Sequence, residues 1–482
     1  MMTMTATRPT APGLPGVHHA LVVGLGASGL AATRLLVGQG VTVTAVDEAA
    51  DHAGADEARA VGATVVLGRP AVELLDGTID LVVPSPGVPE RAPVLQQAAA
   101  AGTTVWSEPE LGLRVFPHDL LAITGTNGKT STTELVAAML AAGDRPVVAC
   151  GNIGRPLSDA AGQTPPDTVL VAELSSFQLR FAETLRAMVG VVLNVADDHL
   201  DWHGDAGAYG RAKARIWVGQ TTEDWAVANT DDPTSLALRD RYASGRHAAF
   251  SGTRPVALGV GRRGDDLVLW GPDGAVTELL AVDDLTSRAS HHVANVAAAA
   301  TLAALAGVEP GRIIEVARSY HAGAHRFETV AFVDGVHYVN DSKATNVHAA
   351  AAALGAADDI VWIAGGLAKG VDLAPLGEHL GNVRSAMLIG TAADELAGIC
   401  ARAGVPSEHA GSIEDAVRRA QRLARPDGTV LLAPACASFV QFRDYADRGA
   451  RFSAAVRSLA ATTDEGDAGP AAGGQGGSTD GT

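Results

Sequence analysis

One loop, residues 124–130 with the sequence TGTNGKT, carries the residue types that bind phosphate. It lies between an apolar segment that predicts a strand, Leu120–Ile123, and a segment that predicts a helix, Thr130–Leu140. The backbone N–H groups of such a loop can surround phosphate oxygens, the ammonium of Lys129 can reach the β- and γ-phosphates, and the Thr130 hydroxyl can bind Mg²⁺. A GxxxxGK[ST] loop would need glycine where Ile123 stands, so this is a phosphate loop of a distinct form.

Glu173 and His199 each follow a predicted strand, where ligands bind at the edge of a parallel sheet. Glu173 ends the strand predicted over Val169–Ala172. A carboxylate beside a phosphate loop can bind Mg²⁺, and an acid that caps the next helix is equally consistent with this position. His199 lies beyond the strand predicted over Val189–Asn194, in a ten-residue segment with two His and three Asp. That segment is typical of metal or phosphate contacts, and also of a polar surface loop.

A second glycine motif, GLGASG at residues 24–29, follows the predicted strand Ala20–Val23 and opens the predicted helix Ser28–Val37. With Asp47 at the end of the next strand, it matches the GxGxxG pattern of dinucleotide sites, in which the acid binds a ribose hydroxyl. Another nucleotide diphosphate could use the same helix N-terminus, and such glycines also serve only tight turns and close helix packing. The motif alone therefore leaves an NAD(P)-dependent oxidoreductase open.

Apolar segments alternate with amphipathic ones along most of the chain, which predicts parallel sheets covered by helices. Further strands are predicted at Val41–Val46, Val65–Leu67, Leu81–Val83, Val361–Ala364, Ala386–Ile389 and Val430–Ala433. Short segments with Gly turns between residues 253 and 282 predict a small antiparallel insert, and the last predicted helix ends near Leu459. These elements predict three α/β units in series, with ligands at the carboxyl ends of the strands.

The composition is that of a globular chain of 482 residues, 47% hydrophobic and 19% charged, long enough for about three domains. A net charge of −18 and an aromatic fraction of 4% argue against a nucleic-acid-binding protein, which must neutralise phosphates or stack on bases. Three widely spaced cysteines fit a reducing cytoplasm better than a disulfide or zinc framework. No segment has the length of a membrane span and the N-terminus lacks a signal-peptide pattern, so we expect a cytoplasmic protein.

Together these residues resemble the Mur ligases, the ATP-dependent, peptide-bond-forming family of peptidoglycan synthesis. The resemblance extends from Gly24 to about Phe452. The TGTNGKT loop is shared across the superfamily, whereas four other strings are closest to the member that adds D-glutamate to UDP-N-acetylmuramoyl-L-alanine. These strings are Ser85-Pro86-Gly87, ELSSFQL at 173–179, NDSKATN at 340–346 and PACASFVQF at 434–442.

The resemblance implies an α/β fold of three domains in series. These would be a Rossmann-like N-terminal domain, a central P-loop ATPase-type parallel sheet and a Rossmann-like C-terminal domain. We expect a disordered leader at 1–16, a UDP-substrate domain at 17–109, an ATP-binding domain at 110–320, an amino-acid-binding domain at 321–462 and a disordered tail at 463–482. A monomer is expected whose partners are small molecules, with no nucleic acid and no membrane span.

The resemblance also implies a role for each site residue. ATP binding is implied for Gly125, Thr126, Asn127, Gly128, Lys129, Thr130, Asn295, Arg326 and Asp341. Binding of the UDP substrate is implied for Ser28, Asp47, Ser85, Pro86, Gly87 and, near the reacting centre, Asn152. D-glutamate binding is implied for Thr345, Lys369, Ser438 and Tyr445. The implied Mg²⁺ ligands are Thr130, Glu173, His199 and Lys213, and the implied catalytic residues are Lys129, Lys213 and His199.

Lys213 would pass as a helix-surface lysine by spacing alone. It matches the family lysine that CO₂ carbamylates, which turns a cation into an anionic Mg²⁺ ligand. Three positions depart from the family pattern: His292 stands where an asparagine is common near the adenine, Tyr445 where a phenylalanine is expected, and Glu48 where a small hydroxyl residue often follows the acid.

The implied chemistry is activation of a carboxylate. ATP phosphorylates the terminal alanine carboxylate to an acyl phosphate, and the D-glutamate amine then displaces phosphate. A base must take the amine proton; His199 is a candidate, in competition with its metal role, and the base stays unassigned. Shielding of the acyl phosphate from water predicts closure of the C-terminal unit. The alternatives are a superfamily ligase for another amino acid, the oxidoreductase named above, and a nucleotide-sensing protein without turnover.

Overall fold

The computed structural model describes residues 11–466 except 142, 144, 369 and 440. Lys369, predicted to bind D-glutamate, therefore lies outside the described residues. The chain divides into two compact units, the first ending at His321 and the second beginning at Ala322. None of the helices in the described part of the chain is both long and apolar enough to cross a membrane.

The first unit begins with an N-terminal domain built on a five-stranded parallel sheet. Its elements are β1 (His19–Val23), α1 (Ala27–Gly38), β2 (Thr42–Asp47), α2 (Ala55–Ala60), β3 (Thr64–Leu67), β4 (Leu81–Pro84), α3 (Pro93–Ala101), β5 (Thr104–Val105) and α4 (Glu108–Val115). The strand order is β3-β2-β1-β4-β5. The chain reverses its direction of winding between β1 and β4, and a crevice forms at such a point.

A central domain follows in the same unit. Its elements are β6 (Asp119–Thr124), α5 (Lys129–Leu140), β7 (Val147–Gly151), α6 (Leu157–Gly162), β8 (Val169–Glu173), α7 (Ser176–Arg180), β9 (Val189–Val192), α8 (Leu200–His203), α9 (Ala206–Ala214), β10 (Trp225–Asn229), α10 (Pro233–Tyr242), β11 (Arg246–Phe250), β12 (Gly259–Arg263), β13 (Asp266–Trp270), β14 (Val276–Ala281), α11 (Ser290–Leu305) and α12 (Pro310–Ser319). Six strands form a parallel sheet in the order β11-β10-β9-β6-β8-β7. The predicted antiparallel insert is confirmed as β12-β13-β14.

The second unit contains one six-stranded sheet. Its elements are β15 (Glu328–Val333), β16 (Val336–Asn340), α13 (Val347–Leu354), β17 (Ile360–Gly365), β18 (Val383–Ile389), α14 (Ala393–Arg402), β19 (Ser407–His409), α15 (Ile413–Leu423), β20 (Thr429–Leu432) and α16 (Tyr445–Gly466). The strand order is β15-β16-β20-β17-β18-β19, parallel except for the edge hairpin β15-β16.

The buried core of each sheet explains why these segments form strands. In β6, β8 and β9 nearly every side chain is buried, because helices cover both faces of a parallel sheet. The helix α11 packs against α5 on one face through a run of small buried alanines, which let the two helices approach closely. The predicted α/β class with parallel sheets is confirmed.

Several boundaries differ from the expectations. The last helix continues to Gly466 rather than ending near Leu459, because no glycine or proline lies between these two residues, so residues 463–466 of the expected disordered tail are helical. Residues 13–16 of the expected leader are held on the N-terminal domain, where the Gly13 N–H donates to the Arg114 carbonyl (3.0 Å) and Leu14 packs on the core. Strand β9 ends at Val192, two residues before its predicted end.

Candidate active site

The phosphate loop joins β6 to α5 and therefore lies at the N-terminus of a helix. Backbone N–H groups at this position stabilise bound anions. Gly128 caps α5 with a φ of 82°, a left-handed conformation that favours glycine. A Cβ added there would lie 2.3 Å from the Asn295 Oδ1. The loop therefore needs glycine at this position for two reasons, and Asn295, predicted to bind ATP, lies directly against it.

Asn194 fixes the loop from the neighbouring strand. The Asn127 N–H donates to the Asn194 Oδ1 (2.8 Å), and the Asn194 amide donates back to the Asn127 carbonyl (3.1 Å). The Thr126 N–H also donates to the Asn194 carbonyl (3.0 Å). Asn194 begins the ten-residue segment predicted to make metal or phosphate contacts, in which only His199 was singled out; its position just after β9, beside β6 in the sheet, was the available signal.

Two lysines meet at one carbonyl of the phosphate loop. The Nζ of Lys129 donates to the Gly125 carbonyl (3.0 Å) and the Thr126 carbonyl (2.9 Å), and the Nζ of Lys213 donates to the same Gly125 carbonyl (2.8 Å). Lys213 is 1% exposed. Burial, reinforced by the nearby positive charge of Lys129, lowers the pKa of Lys213 well below its ordinary value. This environment favours the neutral, nucleophilic form of the Lys213 amine.

Tyr209 supports Lys213 from the same face of α9, one helical turn earlier. The Lys213 Nζ lies 4.3 Å from the centroid of the Tyr209 ring, and the Tyr209 hydroxyl lies 3.2 Å from the Thr126 Oγ1. Asp205 caps the helix by accepting from the Ala208 N–H (2.7 Å). Tyr209 thus links the lysine to the phosphate loop. The sequence reading missed it, although the four-residue spacing from Lys213 was a usable signal.

Glu173, the last residue of β8, forms hydrogen bonds with residues that follow β6 and β7. Its Oε2 accepts from the Thr130 hydroxyl (2.6 Å), and its Oε1 accepts from the Asn152 amide (2.9 Å). The Asn152 N–H also donates to the Glu173 carbonyl (2.8 Å). Glu173, Thr130 and Asn152 thus form one oxygen-rich group beside the phosphate loop.

His199 lies at the start of α8 with a φ of 55°. Its ring centroid is 4.8 Å from that of Phe177 and 6.5 Å from that of Tyr209, and its Nε2 is 3.7 Å from the Asp198 Oδ2. Within the described residues, no three His, Cys, Asp or Glu side chains form a metal-binding cluster. Of the four predicted Mg²⁺ ligands, only Glu173 and His199 are of these residue types. An unmodified lysine has no oxygen with which to bind the ion.

The residues that are present nevertheless suit Mg²⁺ in part. Mg²⁺ is bound by oxygen ligands, commonly one or two carboxylates together with phosphate and water oxygens. The Thr130 hydroxyl and the Glu173 carboxylate, in contact beside the phosphate loop, are such a donor pair.

A cavity of about 560 Å³ lies in the N-terminal domain where the order of the strands reverses. It is lined by the predicted residues Ser28, Asp47, Ser85, Pro86 and Gly87, and also by Glu48. Asp47 has structural bonds as well, since its carboxylate accepts from the N–H groups of Leu25 (3.1 Å) and Ala49 (3.0 Å). Asn152, also predicted for the UDP substrate, does not line this cavity and lies at Glu173.

In the second unit, one buried arginine joins the loops that hold the other predicted residues. Arg448, 0% exposed, donates to the Ser342 hydroxyl (3.0 Å) and carbonyl (2.9 Å) and to the Cys436 carbonyl (3.1 Å). Ser342 lies in the NDSKATN loop and Cys436 in the PACAS segment, which contain Thr345 and Ser438. The sequence reading missed Arg448, because it resembles any charged residue of a helix.

Other predicted residues lie around the same loops. The Lys343 Nζ is 3.8 Å from the centroid of the Tyr445 ring, a cation–π contact in which phenylalanine could replace tyrosine. The Asp341 carboxylate accepts from the Phe327 N–H (3.2 Å). Burial raises the pKa of Asp341 to about 7, although this hydrogen bond and the charge of Arg326 act in the opposite direction.

Three family models match consecutive parts of this chain. They describe a Mur ligase MurD-like N-terminal domain (residues 18–107), a Mur ligase middle domain (123–303) and a Mur ligase glutamate ligase domain (325–436). The chain belongs to the Mur ligase family.

Curated relatives at 36–48% identity carry the name UDP-N-acetylmuramoylalanine–D-glutamate ligase. The protein from Frankia casuarinae is 48% identical over 91% of this chain and 93% of its own length, and that from Myxococcus xanthus is 45% identical over 91% and 98%.

Solved Mur ligase structures share the fold at low identity. MurC from Thermotoga maritima has a TM-score of 0.56 at 16% identity, covering 92% of this chain and 99% of its own. MurF from Thermotoga maritima, solved in complex with ADP, has a TM-score of 0.55 at 15% identity, covering 93% and 96%.

Proposed function

We propose that this chain is an ATP-dependent ligase that joins D-glutamate to UDP-N-acetylmuramoyl-L-alanine in the synthesis of peptidoglycan precursors. The observation that carries the proposal is the convergence of Lys129, Lys213, Thr130 and Glu173 on the phosphate loop. The name borne by relatives at 45–48% identity supports the choice of substrates.

The first proposed step transfers the γ-phosphoryl group of ATP. The alanine carboxylate oxygen attacks the γ-phosphorus, the bond to the bridging oxygen breaks, and ADP leaves. In the presence of nucleotide, the Lys129 ammonium would exchange its two loop carbonyls for phosphate oxygens, because both groups are acceptors and the phosphate is charged. The N-terminus of α5 adds its N–H groups to the same charge.

In the second proposed step the D-glutamate amine attacks the acyl carbon, phosphate leaves, and the amide bond forms. The nitrogen loses its proton to a base that we leave unassigned. The acyl carbon must be held near the amine while water is excluded, because water would hydrolyse the acyl phosphate.

We assign Mg²⁺ binding to Thr130, Glu173, His199 and a carbamylated Lys213, with Mg²⁺ serving to neutralise phosphate charge. Carbamylation needs a neutral amine to attack CO₂, and the burial of Lys213 beside Lys129 favours that form. The carbamate would supply the oxygen ligand that an amine lacks. Its negative charge would also attract the Lys129 ammonium.

The remaining predicted roles are proposals for the separate domains. The N-terminal cavity would bind the UDP part of the substrate, and Asn295 would contact the nucleotide next to Gly128. In the second unit, Thr345, Lys369, Ser438 and Tyr445 would bind D-glutamate, and Arg326 and Asp341 would contact ATP.

The test is ATP-dependent release of phosphate with UDP-N-acetylmuramoyl-L-alanine and one amino acid at a time. The panel is D-glutamate, L-glutamate, L-alanine and diaminopimelate. We expect release with D-glutamate alone. Release with another member of the panel would keep the chemistry and overturn the substrate, and no release with any would overturn the proposed function.

A further inference from the structure

Trp202, which has no part in the proposed chemistry, links the helix that follows His199 to the loop that borders the N-terminal cavity. It lies in α8, three residues after His199, and its side chain is buried. The indole Nε1 donates to the Val88 carbonyl (3.0 Å). Val88 lines the N-terminal cavity and directly follows the Ser85–Gly87 segment. One hydrogen bond thus connects the loop after β4 to the segment that contains His199.

The ring of Trp202 is fixed by an aromatic cluster, which we define as Phe177, Phe181, Trp202 and His203. The centroid of Trp202 lies 4.8 Å from that of Phe177, 6.5 Å from that of Phe181 and 4.4 Å from that of His203. Phe177 belongs to α7, which begins three residues after Glu173. The aromatic cluster therefore holds α8 against the segment that follows the proposed metal ligand.

Two further contacts hold the same parts together. The His203 Nε2 lies 2.9 Å from the Ser176 Oγ, at the start of α7. The Arg180 Nε, at the end of α7, donates to Glu90 of the loop after β4 (2.7 Å). The space that remains between this loop and the aromatic cluster is a cavity of about 10 Å³, close to the size of one water molecule. The loop after β4 thus packs tightly on the central domain.

We propose that Trp202 is a positioning residue that holds the loop after β4 for the nucleotide end of the substrate. The inference rests on the proposed function. The loop after β4 borders the cavity proposed for the UDP end, so the position of this loop determines how tightly the UDP end is bound. The hydrogen bond to Val88 fixes the loop that borders the cavity relative to α8 and the phosphate loop.

The test is the substitution Trp202→Phe, which keeps an aromatic ring in the cluster and removes the N–H donor. The half-buried Val88 carbonyl then loses this donor, so the loop after β4 is held less tightly. We expect the KM for UDP-N-acetylmuramoyl-L-alanine to rise about 5- to 10-fold. The KM values for ATP and D-glutamate and the value of kcat should each change by less than about 2-fold, because their contacts do not include the loop after β4.

Trp106→Phe is the matched control. The Trp106 Nε1 also joins the N-terminal and central domains, through the Glu183 Oε2 (2.9 Å), and its side chain is equally buried, but it lies away from the cavity. It should lower the melting temperature to a similar extent and leave all three KM values unchanged. Equal changes of KM in Trp202→Phe and Trp106→Phe, or a rise of all three KM values together, would overturn the inference.

Calorimetric titration with UDP alone separates this inference from the proposed function. It measures the N-terminal site without turnover, so it gives a result even if the amino-acid substrate is another one. We expect Trp202→Phe to weaken UDP binding about 5- to 10-fold relative to the unsubstituted protein. Equal affinity in both proteins contradicts the positioning role, whatever the activity panel shows.

Discussion

At the scale of single residues, the most informative feature is the carbonyl of Gly125, which accepts hydrogen bonds from two lysines. Two ammonium groups at one acceptor repel each other, and burial penalises the charge of Lys213. The repulsion disappears when the Lys213 amine loses its proton. A carbamate on the same nitrogen would carry a negative charge and would attract Lys129. Lys129 would then keep the positive charge that phosphate requires.

Lys213→Ala tests whether the site needs an anionic ligand at this position. We expect the substitution to lower kcat at least 100-fold, because the site loses an anionic oxygen ligand. Short carboxylic acids such as acetate, added at high concentration, should restore part of the activity by filling the vacated space with a carboxylate. The measurement is the rate of phosphate release with and without acetate. Lys129→Ala is the control, since a carboxylate cannot replace its cation. Full activity in Lys213→Ala would contradict the assignment.

At the scale of elements, the loops that follow strands carry the chemistry, and glycines permit their shape. Gly128→Ala places a Cβ in a left-handed residue and against Asn295. Gly102→Ala is the control, because Gly102 has a φ of 71° with no atom near its Cβ position. We expect Gly102→Ala to cost about 1–2 kcal/mol of unfolding free energy from the backbone alone. Gly128→Ala should cost more, and it should also raise the KM for ATP. Urea denaturation of both variants measures these losses. An equal loss of unfolding free energy in the two variants would contradict the expected ranking.

Helix α4 begins with a buried acid, Glu108, that gives the fold a pH dependence. Its Oε1 accepts from the Ser158 N–H (2.6 Å), and its buried Oε2 has no hydrogen-bond partner among the described residues. Burial raises the pKa of Glu108 from 4.5 to about 7. Between these pH values the folded protein therefore holds a proton that the unfolded chain releases. The free energy of unfolding falls as the pH rises through this range.

Glu108→Gln removes this dependence, because an amide does not titrate. The pKa shift corresponds to about 3 kcal/mol that the Glu108 carboxylate costs the folded protein above pH 7. We expect the stability of Glu108→Gln relative to the unsubstituted protein to increase by about this amount between pH 5 and pH 8. Urea denaturation of both proteins at the two pH values measures it. A difference that stays constant with pH would contradict the buried, protonated state.

At the scale of the whole molecule, the chain forms two compact units with separate cores. Arg448 belongs entirely to the second. Burial lowers its pKa to about 10, and its hydrogen bonds join the loops that follow β16 and β20. The loops proposed to bind D-glutamate thus depend on one side chain.

Arg448→Met leaves buried carbonyl acceptors without a donor, which costs about 3 kcal/mol or more. We expect faster amide hydrogen exchange in peptides from residues 322–466 and unchanged exchange in peptides from residues 11–321. Exchange measured by mass spectrometry reports both units in one experiment. Arg451→Met is the control, because that arginine is exposed and pairs with Glu414 at the surface. Faster exchange in both units would show that they do not unfold separately.

Much of this architecture could be predicted from the sequence. Runs of buried β-branched residues, each followed by glycine or a polar residue, indicated the parallel strands and the edge at which Thr130 and Glu173 meet. The meeting of Lys213 and Lys129 at the Gly125 carbonyl could not be predicted from spacing. The two lysines are far apart in the chain, and their proximity depends on how α9 packs. Arg448 was missed for the same reason: only the folded loops show that its charge is buried.

Isotopic labelling of one oxygen position tests most directly whether an acyl phosphate forms. UDP-N-acetylmuramoyl-L-alanine labelled with ¹⁸O in its alanine carboxylate is incubated with ATP and D-glutamate, and the released phosphate is analysed by mass spectrometry. The acyl-phosphate account predicts one ¹⁸O atom in each phosphate, because a carboxylate oxygen becomes the bridging oxygen and leaves with phosphorus. Amide formation accompanied by unlabelled phosphate would contradict the account.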